Sequence, residues 1–134
     1  SFTKHLIQVF NKHNCSVVGL READKIKPRN SIFEGHEFED GIYKANRIIT
    51  PSPTNEVQSN LEFCSRFVFT PEIFNQLEQI ERPKKGVVLL AEVVDKLARN
   101  SQVNGVKLDG ECFDISCSKS LLFANLSLTD MHCD

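Results

Sequence analysis

The sequence predicts an α/β fold, in which short strands alternate with helices along a single chain. Runs with the apolar spacing of a helix alternate with runs rich in aromatic and β-branched residues, and turn residues separate them. There is no internal repeat and no low-complexity tract. With 134 residues, of which 40% are hydrophobic and 25% charged, the chain is long enough for one globular domain with a buried core.

The first part of the chain predicts a helix, a strand and a loop. Residues 2–14 carry apolar side chains such as Leu6 on one face and end at an asparagine, which is typical of an amphipathic helix. The run CSVVGL over residues 15–20 predicts a short buried strand. Residues 21–30 are charged, contain a proline and lack apolar periodicity, so we expect a surface loop there.

The middle of the chain predicts three further strands. Residues 31–40 indicate a strand that ends in a turn, and residues 42–50 indicate its partner. Residues 51–59 contain two prolines that block regular strand pairing, and they predict a loop. Residues 60–70 are rich in aromatic and β-branched residues and predict a long strand.

The sequence Thr70-Pro71-Glu72 has the features of a helix start. A hydroxyl side chain suits the N-cap, proline suits the first turn, and a carboxylate is favourable at the positive end of the helix dipole. We therefore expect a helix over residues 71–80 and assign Thr70 and Pro71 structural roles. Thr70→Ala should then cost about 1 kcal/mol through the lost cap and leave ligand binding unchanged.

The last part of the chain predicts two helices with two strands between them. Residues 85–100 indicate a hydrophobic helix, and residues 118–128 indicate a final one. Residues 104–110 and 111–116 have the composition of short strands. Together with the earlier elements, these give the alternation on which the α/β assignment rests.

Charge and cysteine content exclude several classes of protein. A net charge of −2 and a pI of about 6.1 argue against nucleic acid and anionic membranes as partners. No apolar run approaches the roughly 20 residues that a membrane helix needs. The five cysteines are odd in number and lack CxxC spacing, so we expect reduced thiols in a cytoplasmic protein.

Histidines and a group of acidic residues are candidate site residues. The four histidines are scattered along the sequence and are interpreted as surface residues, although His5 and His13 fall two turns apart on one predicted helix. Asp109, Glu111 and Asp114 lie near the predicted strand pair, where they form either a cation site or a solvated turn.

Three stretches resemble one family over nearly the whole chain. SNLEFCSRFVFTPEIF (59–74) is the most specific, and FNKHNCSVVGL (10–20) and FDISCSKSLLFAN (113–125) flank it in the same order. They resemble the C-terminal half of bacterial UTP–glucose-1-phosphate uridylyltransferase, a sugar-phosphate nucleotidyltransferase. The resemblance implies the C-terminal part of a nucleotide-diphospho-sugar transferase fold, a Rossmann-like mixed sheet flanked by helices, with residues 1–134 forming a single domain.

The resemblance also implies an activity, the synthesis of UDP-glucose and pyrophosphate from UTP and glucose 1-phosphate. The family uses Mg²⁺ and a glycine-rich nucleotide loop near its N-terminus. Neither GxGxxG nor GxxxxGK[ST] occurs in this sequence. We therefore expect no cofactor in this chain and no activity from it alone.

The resemblance places substrate contacts at Thr50, Asn60 and Asp114, with no catalytic residue and no metal ligand. The family's Glu-Lys-Pro falls on Ile49-Thr50-Pro51, so threonine stands where a phosphate-binding lysine is expected. The family's Tyr-Asp-Ile-Gly-Asp falls on residues 113–117, where Asp114 is kept and the last acid is replaced by Cys117.

The alternative interpretation is a non-catalytic homologue that acts as an interaction or oligomerisation module. Half of a nucleotidyltransferase sheet is expected to leave a strand edge open, and we expect that edge at residues 15–20. The predicted partner is a second copy, forming a homodimer through the sheet, or the missing N-terminal half of the enzyme.

Overall fold

The computed structural model describes residues 1–23, 30–54, 56–80 and 89–130. These residues form four helices and five strands, and four of the strands follow one another without an intervening helix. The elements are α1 (Phe2–His13), β1 (Ser16–Glu22), β2 (Ile32–Glu39), β3 (Ile42–Ile49), β4 (Leu61–Val68), α2 (Glu72–Gln79), α3 (Leu90–Arg99), β5 (Val103–Lys107) and α4 (Ser118–Asp130). The predicted α/β class, a mixed sheet flanked by helices, is confirmed.

The strands form a closed ring in the order β1-β4-β2-β3-β5, with β5 returning to β1. The pair β1–β5 is parallel, and the other pairs are antiparallel. Leu20 of β1 pairs with Phe63 on one side and with Lys107 on the other. The expectation of an open strand edge at residues 15–20 is therefore wrong, because β4 and β5 both pair with that strand.

The core has two parts that lie on opposite faces of the sheet. One contains Val18, Leu20 and Phe33 and is covered by α3. The other joins α1 to the sheet, and its buried members are Leu6, Val9, Val17, Ile42 and Val106. Neighbouring residues of a strand point to opposite faces, so Val17 and Val18 belong to different parts.

Some predicted boundaries are wrong in informative ways. Arg21 and Glu22 belong to β1 and not to the following loop, because both pair with β4. The segment 111–116 forms no strand. The predicted helix 85–100 appears from Leu90 onward as α3, and residues 85–88 of that prediction lie outside the described residues.

Thr70 does not cap α2 with its side chain. The residue at the N-cap position is Pro71, and no side-chain cap hydrogen bond is present. Instead, the Thr70 amide donates to Ser16 Oγ at 3.0 Å, and the two hydroxyl oxygens are 3.3 Å apart. Thr70 therefore does not cap α2 but joins the end of β4 to Ser16 at the start of β1.

Among the described residues, no helix has both the length and the apolarity that crossing a membrane requires. No disulfide joins Cys15, Cys64, Cys112 or Cys117. Burial raises the pKa of the Cys64 thiol to about 11, so this side chain stays neutral at ordinary pH.

Candidate functional site

The candidate site lies where the parallel strands β1 and β5 end together. Leu20 and Lys107 are paired in register, and the Leu108 amide donates to the Leu20 carbonyl at 2.7 Å. The residues that follow both strands therefore leave the sheet side by side. In α/β proteins, the carboxyl ends of strands are the usual place for a ligand.

Arg21 and Glu62 form the buried ion pair of this site. Arg21 Nη2 and Nε lie 2.6 Å and 2.7 Å from Glu62 Oε1. The Glu62 side chain is 4% exposed, and its other oxygen accepts the Asn30 amide at 3.2 Å. A buried carboxylate needs such partners, since removing one leaves an uncompensated charge.

Arg21 also holds the segment that follows β5. Its Nη1 donates to the Cys112 carbonyl oxygen at 2.9 Å. The residues predicted as a strand over 111–116 are irregular, and this carbonyl bonds to Arg21 instead of to a neighbouring strand. One guanidinium thus fixes β1, β4 and the segment around Cys112 relative to one another.

A groove of about 350 Å³ lies between these parts. Its lining residues come from the end of β1 and from the chain after β5: Arg21, Glu22, Lys107, Leu108, Gly110, Glu111, Cys112 and Phe113. Lys107 Nζ lies 2.5 Å from Glu22 Oε1, and this contact raises the pKa of Lys107 above its ordinary value. Both cations of the groove therefore have carboxylate partners.

Thr50 and Asn60 do not line the groove. Thr50 follows Ile49, which pairs with Ile32 at the start of β2. Asn60 precedes β4, and its carbonyl oxygen accepts the Ala23 amide at 2.6 Å. Both side chains are exposed. Their predicted contacts with substrate stay predictions.

Asp114 directly follows the last groove residue, Phe113. Its Oδ1 accepts the Ser116 amide at 2.9 Å, and the Cys117 sulfur lies 3.0 Å from Ser120 Oγ. Mg²⁺ prefers carboxylate and other oxygen ligands, and here a thiol stands at the position of the family's last acid. Among the described residues, no three His, Cys, Asp or Glu side chains are grouped to hold a metal ion. The donors present do not fit Mg²⁺.

Sequence reasoning missed Arg21, Glu62 and Lys107. The charged neighbours of Arg21 predict a loop, and Glu62 is one acidic residue in an otherwise apolar predicted strand. An acid inside an otherwise apolar strand is a signal that could have been used, since a buried acid requires a cation nearby.

Comparison with known proteins shows which family the chain resembles. No protein-family model matches the chain. A UTP–glucose-1-phosphate uridylyltransferase from Pseudomonas aeruginosa is 26% identical over 125 residues, which are 92% of this chain and 45% of the relative. A putative enzyme of the same name from Bacillus subtilis is 30% identical over 118 residues, 87% of this chain and 43% of the relative.

This chain is homologous to the C-terminal half of the UTP–glucose-1-phosphate uridylyltransferases. It spans less than half the length of these two relatives. The crystal structure of apo UDP-glucose pyrophosphorylase superposes with a TM-score of 0.86 at 18% identity, covering 97% of this chain and 48% of that one. This likeness confirms the predicted fold. The two sequence relatives confirm the resemblance inferred from the three sequence stretches.

Proposed function

We propose that this chain is the sugar-phosphate side of a uridylyltransferase and that it does not complete the reaction by itself. In that reaction a phosphate oxygen of glucose 1-phosphate bonds to the α-phosphorus of UTP. The bond from that phosphorus to the leaving pyrophosphate breaks. The observation that carries the proposal is homology along nearly the whole chain. The groove at the ends of β1 and β5 lies where such folds bind ligands.

The side chains around the groove support the second part of the proposal. Transfer between phosphates needs positive charge that is directed at the phosphates. Arg21 is held by the buried Glu62, and Lys107 is held by Glu22. Thr50 stands where the resemblance implies a lysine, and a neutral hydroxyl cannot neutralise a phosphate. The chain therefore keeps the fold of the enzyme, but the positive charges at the groove are paired with carboxylates and are less able to bind a substrate phosphate.

Restoring one cation tests where the sugar phosphate is held. Thr50→Lys should bind glucose 1-phosphate about tenfold more tightly than the unmodified chain, since one charge-assisted contact contributes about 1.5 kcal/mol. Thr54→Lys adds the same charge at another exposed position and should leave affinity unchanged. Calorimetry measures both. Equal gains from the two variants would contradict the assignment of Thr50, because they would show only a general effect of charge.

A second candidate function is an oligomerisation module, and α4 favours it. The helix carries apolar side chains in the open, with Leu122 60%, Phe123 67% and Leu126 57% exposed. Leu122 and Leu126 are four residues apart, and Phe123 and Leu126 are three apart, so they share one side of the helix. Because the strands close on themselves, we propose that a second copy docks on this helix and not on a sheet edge.

Sedimentation tests the dimer. The unmodified chain should sediment as a dimer at micromolar concentration, and Leu122→Glu with Phe123→Glu should sediment as a monomer. The matched control is Leu89→Glu, another exposed leucine outside α4. A monomer in every variant would rule out self-association. If adding the N-terminal half of a relative then produced a complex sensitive to the α4 changes, the occupant would be that half and not a second copy.

A further inference from the structure

A second cavity lies at the other end of β1, where α1 stops. Its volume is about 210 Å³, and its lining residues are His13, Cys15, His36, Phe38, Lys44 and Asn104. Cys15 and Arg21, which border the cavity and the groove respectively, are six residues apart along an extended strand, or about 20 Å. The cavity is therefore separate from the candidate uridylyltransferase site.

The floor of this cavity is a row of residues that crosses four strands. His36 of β2 pairs with Lys44 of β3, Lys44 pairs with Asn104 of β5, and Asn104 pairs with Val17 of β1. Side chains directly opposite one another in a sheet share a face and lie about 5 Å apart. The row thus continues the face on which α1 packs. Beyond His13, the last residue of α1, this row carries the polar side chains of His36, Lys44 and Asn104.

Asn104 is the feature of the row that most needs a ligand. The residue is 2% exposed, and within the described part of the chain its Oδ1 has no hydrogen-bond partner. A buried acceptor without a donor costs about 1–3 kcal/mol, so such atoms are rare in native proteins. A bound molecule that carries an O–H or N–H group would satisfy it.

Lys44 supplies the charge of the cavity. Its ammonium forms no ion pair with any other described residue. Burial raises the pKa of the neighbouring Cys15 thiol, which therefore offers no negative charge to Lys44. The nearby Glu39 does not line the cavity and is held by Lys12 at 2.9 Å. An incoming anion would thus find Lys44 available.

The remaining lining residues limit the kind of molecule. His13 and Phe38 meet edge to face with ring centres 5.4 Å apart, and they form an aromatic wall. His13 Nε2 lies 3.3 Å from Glu39 Oε1. The cavity is smaller than the about 300 Å³ at which drug-sized sites begin. Within the described residues, the histidines and Cys15 do not form a metal cluster.

We propose that this cavity binds a small anion that also carries a hydroxyl group. Lys44 contacts the anionic group, and Asn104 Oδ1 accepts a hydrogen bond from the hydroxyl. His36, which is exposed at the rim, can donate a further hydrogen bond. Hydroxycarboxylates and polyol phosphates both have this chemistry. The site is a second ligand site, independent of the groove.

Two matched pairs of probes test the role of the hydroxyl. Malate differs from succinate by one hydroxyl, and glycerol 3-phosphate differs from propyl phosphate by two. NMR titration of the labelled chain, followed at the Asn104 and His36 side chains, should show the hydroxylated member binding at least about tenfold more tightly in one pair or both. The pair that discriminates identifies the carboxylate or the phosphate as the anionic group.

Variants of Lys44 test the role of the charge. Lys44→Met should weaken binding at least about tenfold, and Lys44→Arg should keep it. Lys4→Met is the control, since Lys4 is exposed nine residues before His13 on α1, about 14 Å along the helix. The proposal is overturned if no probe gives saturable shifts at the cavity, if the hydroxyl makes no difference in either pair, or if Lys44→Met and Lys4→Met bind alike.

Discussion

At Ser16, a single hydroxyl group connects the start of β1 to the entrance of α2. The side chain is buried, and its oxygen accepts the Thr70 amide at 3.0 Å. The local sequence Thr70-Pro71-Glu72 correctly predicts where the helix begins, because N-terminal preferences act within one turn. It could not identify the partner of Thr70, which lies 54 residues away along the chain.

This geometry predicts which of the two hydroxyl residues matters more for stability. Ser16→Ala leaves the Thr70 amide without an acceptor and should lower the free energy of unfolding by about 1–3 kcal/mol. Thr70→Ala keeps that hydrogen bond and should cost less than about 1 kcal/mol. Urea unfolding measures both, with Thr54→Ala as an exposed control. A larger loss from Thr70→Ala than from Ser16→Ala would contradict this geometry and support the side-chain cap that the sequence predicts.

At the scale of elements, Gly105 allows β5 to close the ring of strands. A Cβ at this position would contact Leu20 Cδ1 and would lie 2.9 Å from two atoms of the Phe33 ring. Leu20 and Phe33 are fully buried members of the core that α3 covers. Strand composition predicts β5 itself, but its parallel pairing with β1 depends on this close approach between distant parts of the sequence, which no local pattern contains.

Gly105→Ala should therefore destabilise the chain by about 1–3 kcal/mol through crowding of the core. Leu20→Val shortens the contacted side chain. Added to Gly105→Ala, it should lower the free energy of unfolding by less than it does in the unmodified chain. Unfolding free energies of the two single variants and the double variant give the coupling between the positions. Strictly additive losses would mean that β5 does not press against Leu20 as described.

At the scale of the whole molecule, a closed ring of strands carries the groove, and Arg21 and Lys107, the two cations that line it, are paired with carboxylates. The resemblance of three sequence stretches identifies the family and the fold, because such stretches report on packing that many residues share. Its placement of substrate contacts at Thr50, Asn60 and Asp114 stays a prediction. It cannot show that Arg21 is held by Glu62, since that pair depends on the register between β1 and β4.

The central claim is that the chain keeps the uridylyltransferase scaffold without completing its chemistry, and an assay of the purified chain tests it most directly. The chain is incubated with UTP, glucose 1-phosphate and Mg²⁺, and UDP-glucose is measured by chromatography, with the full-length Pseudomonas aeruginosa relative as the positive control. We predict no UDP-glucose above the buffer blank. Turnover above the blank that is lost in Asp114→Asn would contradict the account.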